Sequence, residues 1–147
     1  MSHARSLARR YAVQAVYQWQ LGGQFEQGDE PYYVADKDRG RIDRAYYHAL
    51  TAAVVEHHAE LDRQLAGALD RAVNEVNPVE LAILRIGVCE FLYYPDVPYR
   101  VVINEAVELA KRFGAENAHK YVNGILDTLA ARLRAGESGT HAGSTSG

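Results

Sequence analysis

Arg5, Arg9 and Arg10 all precede the first acidic residue, Glu26, and share a predicted helix with Gln14 and Tyr17. Guanidinium groups bind phosphates, and an aromatic ring stacks on an unpaired base. The segment therefore reads either as an RNA-binding helix or as an ordinary solvated cationic face. A second candidate lies at Asn117, His119 and Lys120, which open the last predicted helix. Free backbone N–H groups at such a start favour an anion, whereas ordinary capping by Asn117 beside a solvated Lys120 explains the same residues.

Signals for catalysis and metal binding are poor. Glu116 and His119 have the helical spacing of carboxylate-bridged di-iron bundles, but the second copy that such a site needs is missing. His57-His58 lacks spaced carboxylate or cysteine partners and reads as solvated. Cys89, the only cysteine, sits in the most apolar helix, where it reads as a small core residue and not as a nucleophile. No glycine-rich phosphate loop follows a strand. The sequence predicts no enzyme, no metal and no cofactor.

The 147 residues suffice for one domain with a sizeable core. A 48% hydrophobic and 24% charged composition is that of a globular chain, and no apolar run approaches the ~20 residues of a membrane helix. A single cysteine and the lack of a secretory pattern suit the cytoplasm. The net charge of −3 argues against a generally basic nucleic-acid binder, so any anion site must be a local patch.

The elements that must position these residues read as helices throughout, with no convincing strand alternation. Ala4 to Leu21 carries an apolar stripe of Ala8, Ala12, Ala15 and Trp19, with Arg9, Arg10, Val13 and Tyr17 around the opposite side. A short helix is predicted around Tyr32 to Asp36. Helical signals return from Asp43 to Val73, with Tyr46, Tyr47, Leu50, Val54, Leu61, Leu65 and Leu69 on the buried side. A bend at His57-His58 stays open. Asn77-Pro78-Val79-Glu80 is a helix start in which Glu80 completes a capping box. The following Leu81 to Tyr93 is apolar nearly all round and belongs at the centre of a bundle. Its two charges, Arg85 and Glu90, are predicted to pair with other helices, Arg85 with Glu105. Tyr99 to Phe113 ends at Gly114, read as a left-handed C-terminal residue. Asn117 to Arg134 is the last helix. The domain is predicted over 1–135, its helices in two groups at about 4–73 and 77–134, and 136–147 as a disordered tail.

The C-terminal half resembles the NusB transcription antitermination family. The resemblance rests on Val79-Glu80-Leu81-Ala82-Ile83-Leu84-Arg85-Ile86, Glu90, Val97-Pro98-Tyr99, Ile103-Asn104-Glu105-Ala106, Glu108-Leu109-Ala110-Lys111, Phe113-Gly114 and Val122-Asn123-Gly124-Ile125-Leu126-Asp127. Arg9, Ala12, Gln14, Ala15, Tyr17 and Trp19 are similar to the family's arginine-rich first helix. The resemblance implies an all-α bundle of about seven helices in two small subdomains. It implies binding of the boxA element of nascent ribosomal RNA leaders together with Nus factor E, a small-subunit ribosomal protein. With other Nus factors the pair would load onto RNA polymerase and suppress termination. By position the implied RNA contacts are Arg5, Arg9, Gln14, Tyr17, Phe113, Asn117, His119, Lys120, Tyr121 and Asn123; Arg10, which stands where some relatives carry an acidic residue, joins them as a cation of the same helix. Glu80, with Glu75 close by, is implied for the protein partner. Two other readings remain: a helical protein-binding adaptor, and an RNA module related to ribosomal RNA cytosine methyltransferases without their catalytic domain.

Overall fold

The computed structural model describes residues 3–22 and 34–137. Six α-helices lie among them: α1 (His3–Gln20), α2 (Arg44–Glu56), α3 (His58–Ala66), α4 (Pro78–Tyr93), α5 (Tyr99–Phe113) and α6 (Ala118–Leu133). Two 3-10 turns, Asp36–Asp38 and Val73–Glu75, punctuate the connections. No strand occurs among the described residues. The short helix expected at Tyr32 to Asp36 becomes the turn at Asp36–Asp38; Tyr32 and Tyr33 lie outside the described residues.

The all-round apolarity of α4 has the predicted consequence. Every residue from Leu81 to Phe91 is buried, and α4 packs against α1, α2, α3, α5 and α6. The two helix groups therefore meet on one shared helix and one core. Pro78 opens α4, and the Asn77 side chain accepts from Val79 N (2.9 Å) and Glu80 N (3.3 Å). The Glu80 carboxylate does not return to cap Asn77, so the expected box is only half formed. At the other end Arg134 donates to the carbonyls of Phe91 (2.9 Å), Glu90 (3.2 Å) and Tyr94 (3.0 Å), satisfying the orphan acceptors of the last turn. Arg134 also binds Glu137, whose carboxylate accepts from Tyr99 N at the start of α5. These two charges clamp the α4–α5 turn.

The bend left open at His57 exists: α2 ends at Glu56 and α3 begins at His58. The His57 ring stacks on Tyr93 with centroids 4.3 Å apart. Arg85 pairs with Asp62 of α3 in a two-point contact (3.0 and 2.8 Å), not with Glu105. Gly114 is extended (φ −87°, ψ 171°), not left-handed. Space requires it: a Cβ there would lie 2.6 Å from Ala118 Cβ and 2.8 Å from the Ala110 carbonyl oxygen. The left-handed residue of this corner is Asn117, at φ 72°.

Candidate nucleic-acid interface

Helix α1 lies against α2 and α4 and is buried along Leu7, Ala8, Arg9, Tyr11, Ala12, Val13 and Val16. This stripe is broader than predicted, and it rotates Arg9 and Val13 inward. Arg9 is 1% exposed. Its Nε reaches both oxygens of Glu90 (3.1 and 2.9 Å), one terminal nitrogen reaches Glu90 (2.9 Å), and the other reaches Glu105 (3.1 Å). Tyr46 completes the set by donating its hydroxyl to Glu90. Burial opposes the charge on Arg9, but Glu90, with Tyr46 and Glu105, more than offsets it and holds the guanidinium above its ordinary range. Burial, then Glu90, pushes the Tyr46 phenol above its own range. Arg9 is thus a correction to the predicted contact set: a guanidinium enclosed by α1, α2, α4 and α5 does not face a nucleic acid.

The neighbouring cations face outward. Arg5 is partly exposed, 3.9 Å from Asp43 and 4.4 Å above the Tyr46 ring. Arg10, one residue and about 100° around the helix from Arg9, opens into a groove of about 530 Å³ between α1 and α5. Ser6, Glu105, Glu108, Leu109, Lys111 and Arg112 also line it. Lys111 and Arg112 are exposed in the last turn of α5, with Lys111 3.6 Å from Glu108. These two cations were missed as site residues. The signal was present in the Lys111-Arg112-Phe113-Gly114 run, where a basic last turn meets a corner. Gln14 is exposed one turn beyond Arg10, and Tyr17 is half-buried against the core.

The corner after α5 carries the second predicted group. Phe113 is half-buried on the core; Asn117 and Lys120 are exposed, and His119 is half-buried. Asn117 caps through its backbone carbonyl, which accepts from Lys120 N (3.1 Å) and Tyr121 N (3.3 Å), and its side chain makes no cap bond. Ala118 N bonds the Ala115 carbonyl at 3.0 Å. The first-turn amides are therefore largely occupied, and the expected open nest of N–H groups is not formed. Positive charge at this end comes from Lys120. Asn123 is exposed one turn further along α6.

Tyr121 and Glu80 belong to a separate patch. The Arg71 guanidinium lies 5.0 Å above the Tyr121 ring. Glu80 is half-buried; burial raises its carboxyl above the usual range, with Arg71 opposing. Glu75 is exposed and accepts from Ala72 N at 3.0 Å, closing the 3-10 turn before α4. Among the described residues no group of three metal-ligating side chains forms, and no helix is long and apolar enough to cross a membrane. Cys89 is buried, and its surroundings push the thiol up to about 12.

Residues 6–131 match the model of the NusB family. The chain is 54% identical over 137 residues to the transcription antitermination protein NusB of Nitrosococcus oceani, covering 93% of this chain and 92% of that protein. Among solved structures it is similar to NusB of T. maritima, with a TM-score of 0.72 and 27% identity over 90% of this chain and 94% of that one. It is also similar to a chain in the crystal structure of antitermination factors NusB and NusE in complex with dsRNA. There the TM-score is 0.69 and the identity 26%, over 88% of this chain and 97% of that one.

Proposed function

The chain belongs to the NusB family, and from that premise we propose that it is a transcription antitermination factor. It binds the boxA element of nascent ribosomal RNA leaders together with Nus factor E, and with other Nus factors it helps RNA polymerase read through terminators. It acts in the cytoplasm, by binding and not by catalysis. Its similarity spans nearly the whole length of a curated antitermination protein, which favours this reading over a fragment of a methyltransferase.

The observation that carries the RNA surface is the groove in which Arg10 of α1 meets Lys111 and Arg112 of α5. The RNA path uses Arg5, Arg10, Gln14 and Tyr17 on α1, then Lys111, Arg112 and Phe113. It continues over Asn117, His119, Lys120 and Asn123, whereas Tyr121, under Arg71 in the patch of Glu80, lies off this path. Phosphates bind the cations, while the aromatic rings and amides contact bases. The acidic wall of Glu105 and Glu108 keeps the patch weakly cationic, which matches a protein that binds RNA with a partner. Glu80 and Glu75 form the partner surface. Glu80 is suited to it because its carboxylate is not used in capping.

The test is binding of boxA and scrambled RNA across a salt series, with and without Nus factor E. Arg10→Ala and Lys120→Ala are each expected to weaken both RNAs and to lower the salt slope by about 0.7 per lost phosphate contact. The preference for boxA is expected to survive. Parent-like binding by both variants would place the RNA elsewhere. A parent that never prefers boxA, even with the partner, would favour a protein-binding adaptor.

A further inference from the structure

We propose that Arg9 is a positioning residue: its ion pairs fix the rotation of α1 and thereby turn Arg10 and Gln14 toward the RNA. The inference rests on the RNA-binding reading above and assigns the arginines of one helix to two different tasks.

The geometry is specific. Successive helical residues differ by about 100°, so Arg9 and Arg10 compete for the inward position. The apolar neighbours set the coarse rotation: Leu7, Ala8, Tyr11, Ala12, Val13 and Val16 span more than half of the helix circumference, and a turn by a full residue would expose Leu7 and Tyr11. The carboxylates fix the rest. Glu90 of α4 and Glu105 of α5 both aim at the Arg9 guanidinium, and Tyr46 of α2 adds a hydroxyl to Glu90. A guanidinium has five donors in a fixed fork, and here the fork is met from three helices. A smaller turn would take Arg9 out of reach before Arg10 could replace it and leave Glu90 buried without its cation, the costly outcome for an interior charge. The buried ion pair thus holds the fine rotation of the helix. Arg5 is tied to the same cluster, lying 4.4 Å above the Tyr46 ring. The groove then receives Arg10, with Ser6 behind it.

The first experiment uses the unaltered protein. Arginine modification by phenylglyoxal, mapped by mass spectrometry, is run on the free protein and on the protein with Nus factor E and boxA RNA. Arg10 and Arg112 are expected to react when free and to be protected by RNA, while Arg9 stays unmodified in both states. Reaction at Arg9 in the free protein, suppressed by RNA, would overturn the proposal. The second experiment compares Glu90→Ala with Glu90→Gln, two substitutions that remove the same charge. Gln keeps an acceptor for Arg9 and Ala does not. Glu90→Ala is expected to bind boxA of the order of tenfold more weakly than Glu90→Gln, the scale on which losing an orienting partner acts. Were Arg9 an RNA contact, both variants would free it and bind alike or more tightly than the parent. Equal affinities, or tighter binding by Glu90→Ala, would overturn the proposal. Failure of the parent to bind boxA at all would overturn the RNA reading and this inference with it, whereas Arg9 reactivity alone would overturn only the positioning role.

Discussion

Gly114→Ala tests the reason for the corner between α5 and α6. A Cβ at this site would meet Ala118 Cβ at 2.6 Å and the Ala110 carbonyl oxygen at 2.8 Å. A relaxed carbon pair sits at about 3.5–4.0 Å, so the overlap with Ala118 is about 1 Å. Neither neighbour is the free end of a flexible chain: one is a buried methyl, the other a helix carbonyl. Overpacking of this kind costs about 1–3 kcal/mol, and rigid neighbours place it near the upper end. Because φ is −87°, alanine is not strained by the backbone itself and gains about 0.4–1 kcal/mol from a less flexible unfolded chain. The net expectation is a loss of about 2 kcal/mol. Urea denaturation would read it as a lower midpoint at unchanged slope. Gly114→Ala/Ala118→Gly should recover part of the loss, with a coupling above about 0.5 kcal/mol. Recovery stays partial because the contact with Ala110 remains. The same displacement carries Asn117 and Lys120 with it, so boxA binding should fall in the single variant and recover in the double. A loss below about 0.5 kcal/mol, or strictly additive effects, would refute the steric account.

Three further outcomes are expected. Arg134→Ala strips three carbonyl partners from the end of α4 and should cost about 2–3 kcal/mol in chemical denaturation; a cost within error would show that water replaces the side chain fully. Stability should fall with alkaline pH, because burial holds Cys89 protonated to about 12 and Tyr94 to about 12, while the unfolded groups ionise near 9 and 10. Above those values the folded chain binds more protons than the unfolded one, so stability is full below pH 9 and declines toward 12, by up to about 1.4 kcal/mol per pH unit per group. Melting temperatures from pH 8 to 11 check this, and Cys89→Ala should flatten the decline between 9 and 10; an identical profile would contradict it. Glu80→Lys should weaken association with Nus factor E in a calorimetric titration while the circular dichroism of the free protein is kept, and an unchanged affinity would remove Glu80 from the partner surface.

The helical class, the central place of Leu81 to Phe91 and the cap at Asn77 were legible in the residues alone. Those are local properties: apolar periodicity, an apolar run with no polar face, and a side chain two residues from the amide it accepts. The sequence also carried the family motifs, since they are contiguous strings. What it could not carry is the pairing of distant charges. Arg9 and Glu90 stand 81 residues apart, and Arg9 and Glu105 stand 96 apart. Charge alone does not distinguish Arg9 from Arg10 within the first helix, and the carboxylates that hold Arg9 lie on α4 and α5. The same holds for Arg85, whose partner became Asp62 of α3 and not Glu105. Gly114 was recognised as a corner for the wrong reason, because the demand comes from Ala118 and Ala110 packed around it. Tertiary packing decided which cations are inside and which are left for a ligand. A buried charge must find its counter-charge wherever the helices bring one, and that position exists only once α1, α2, α4 and α5 have met.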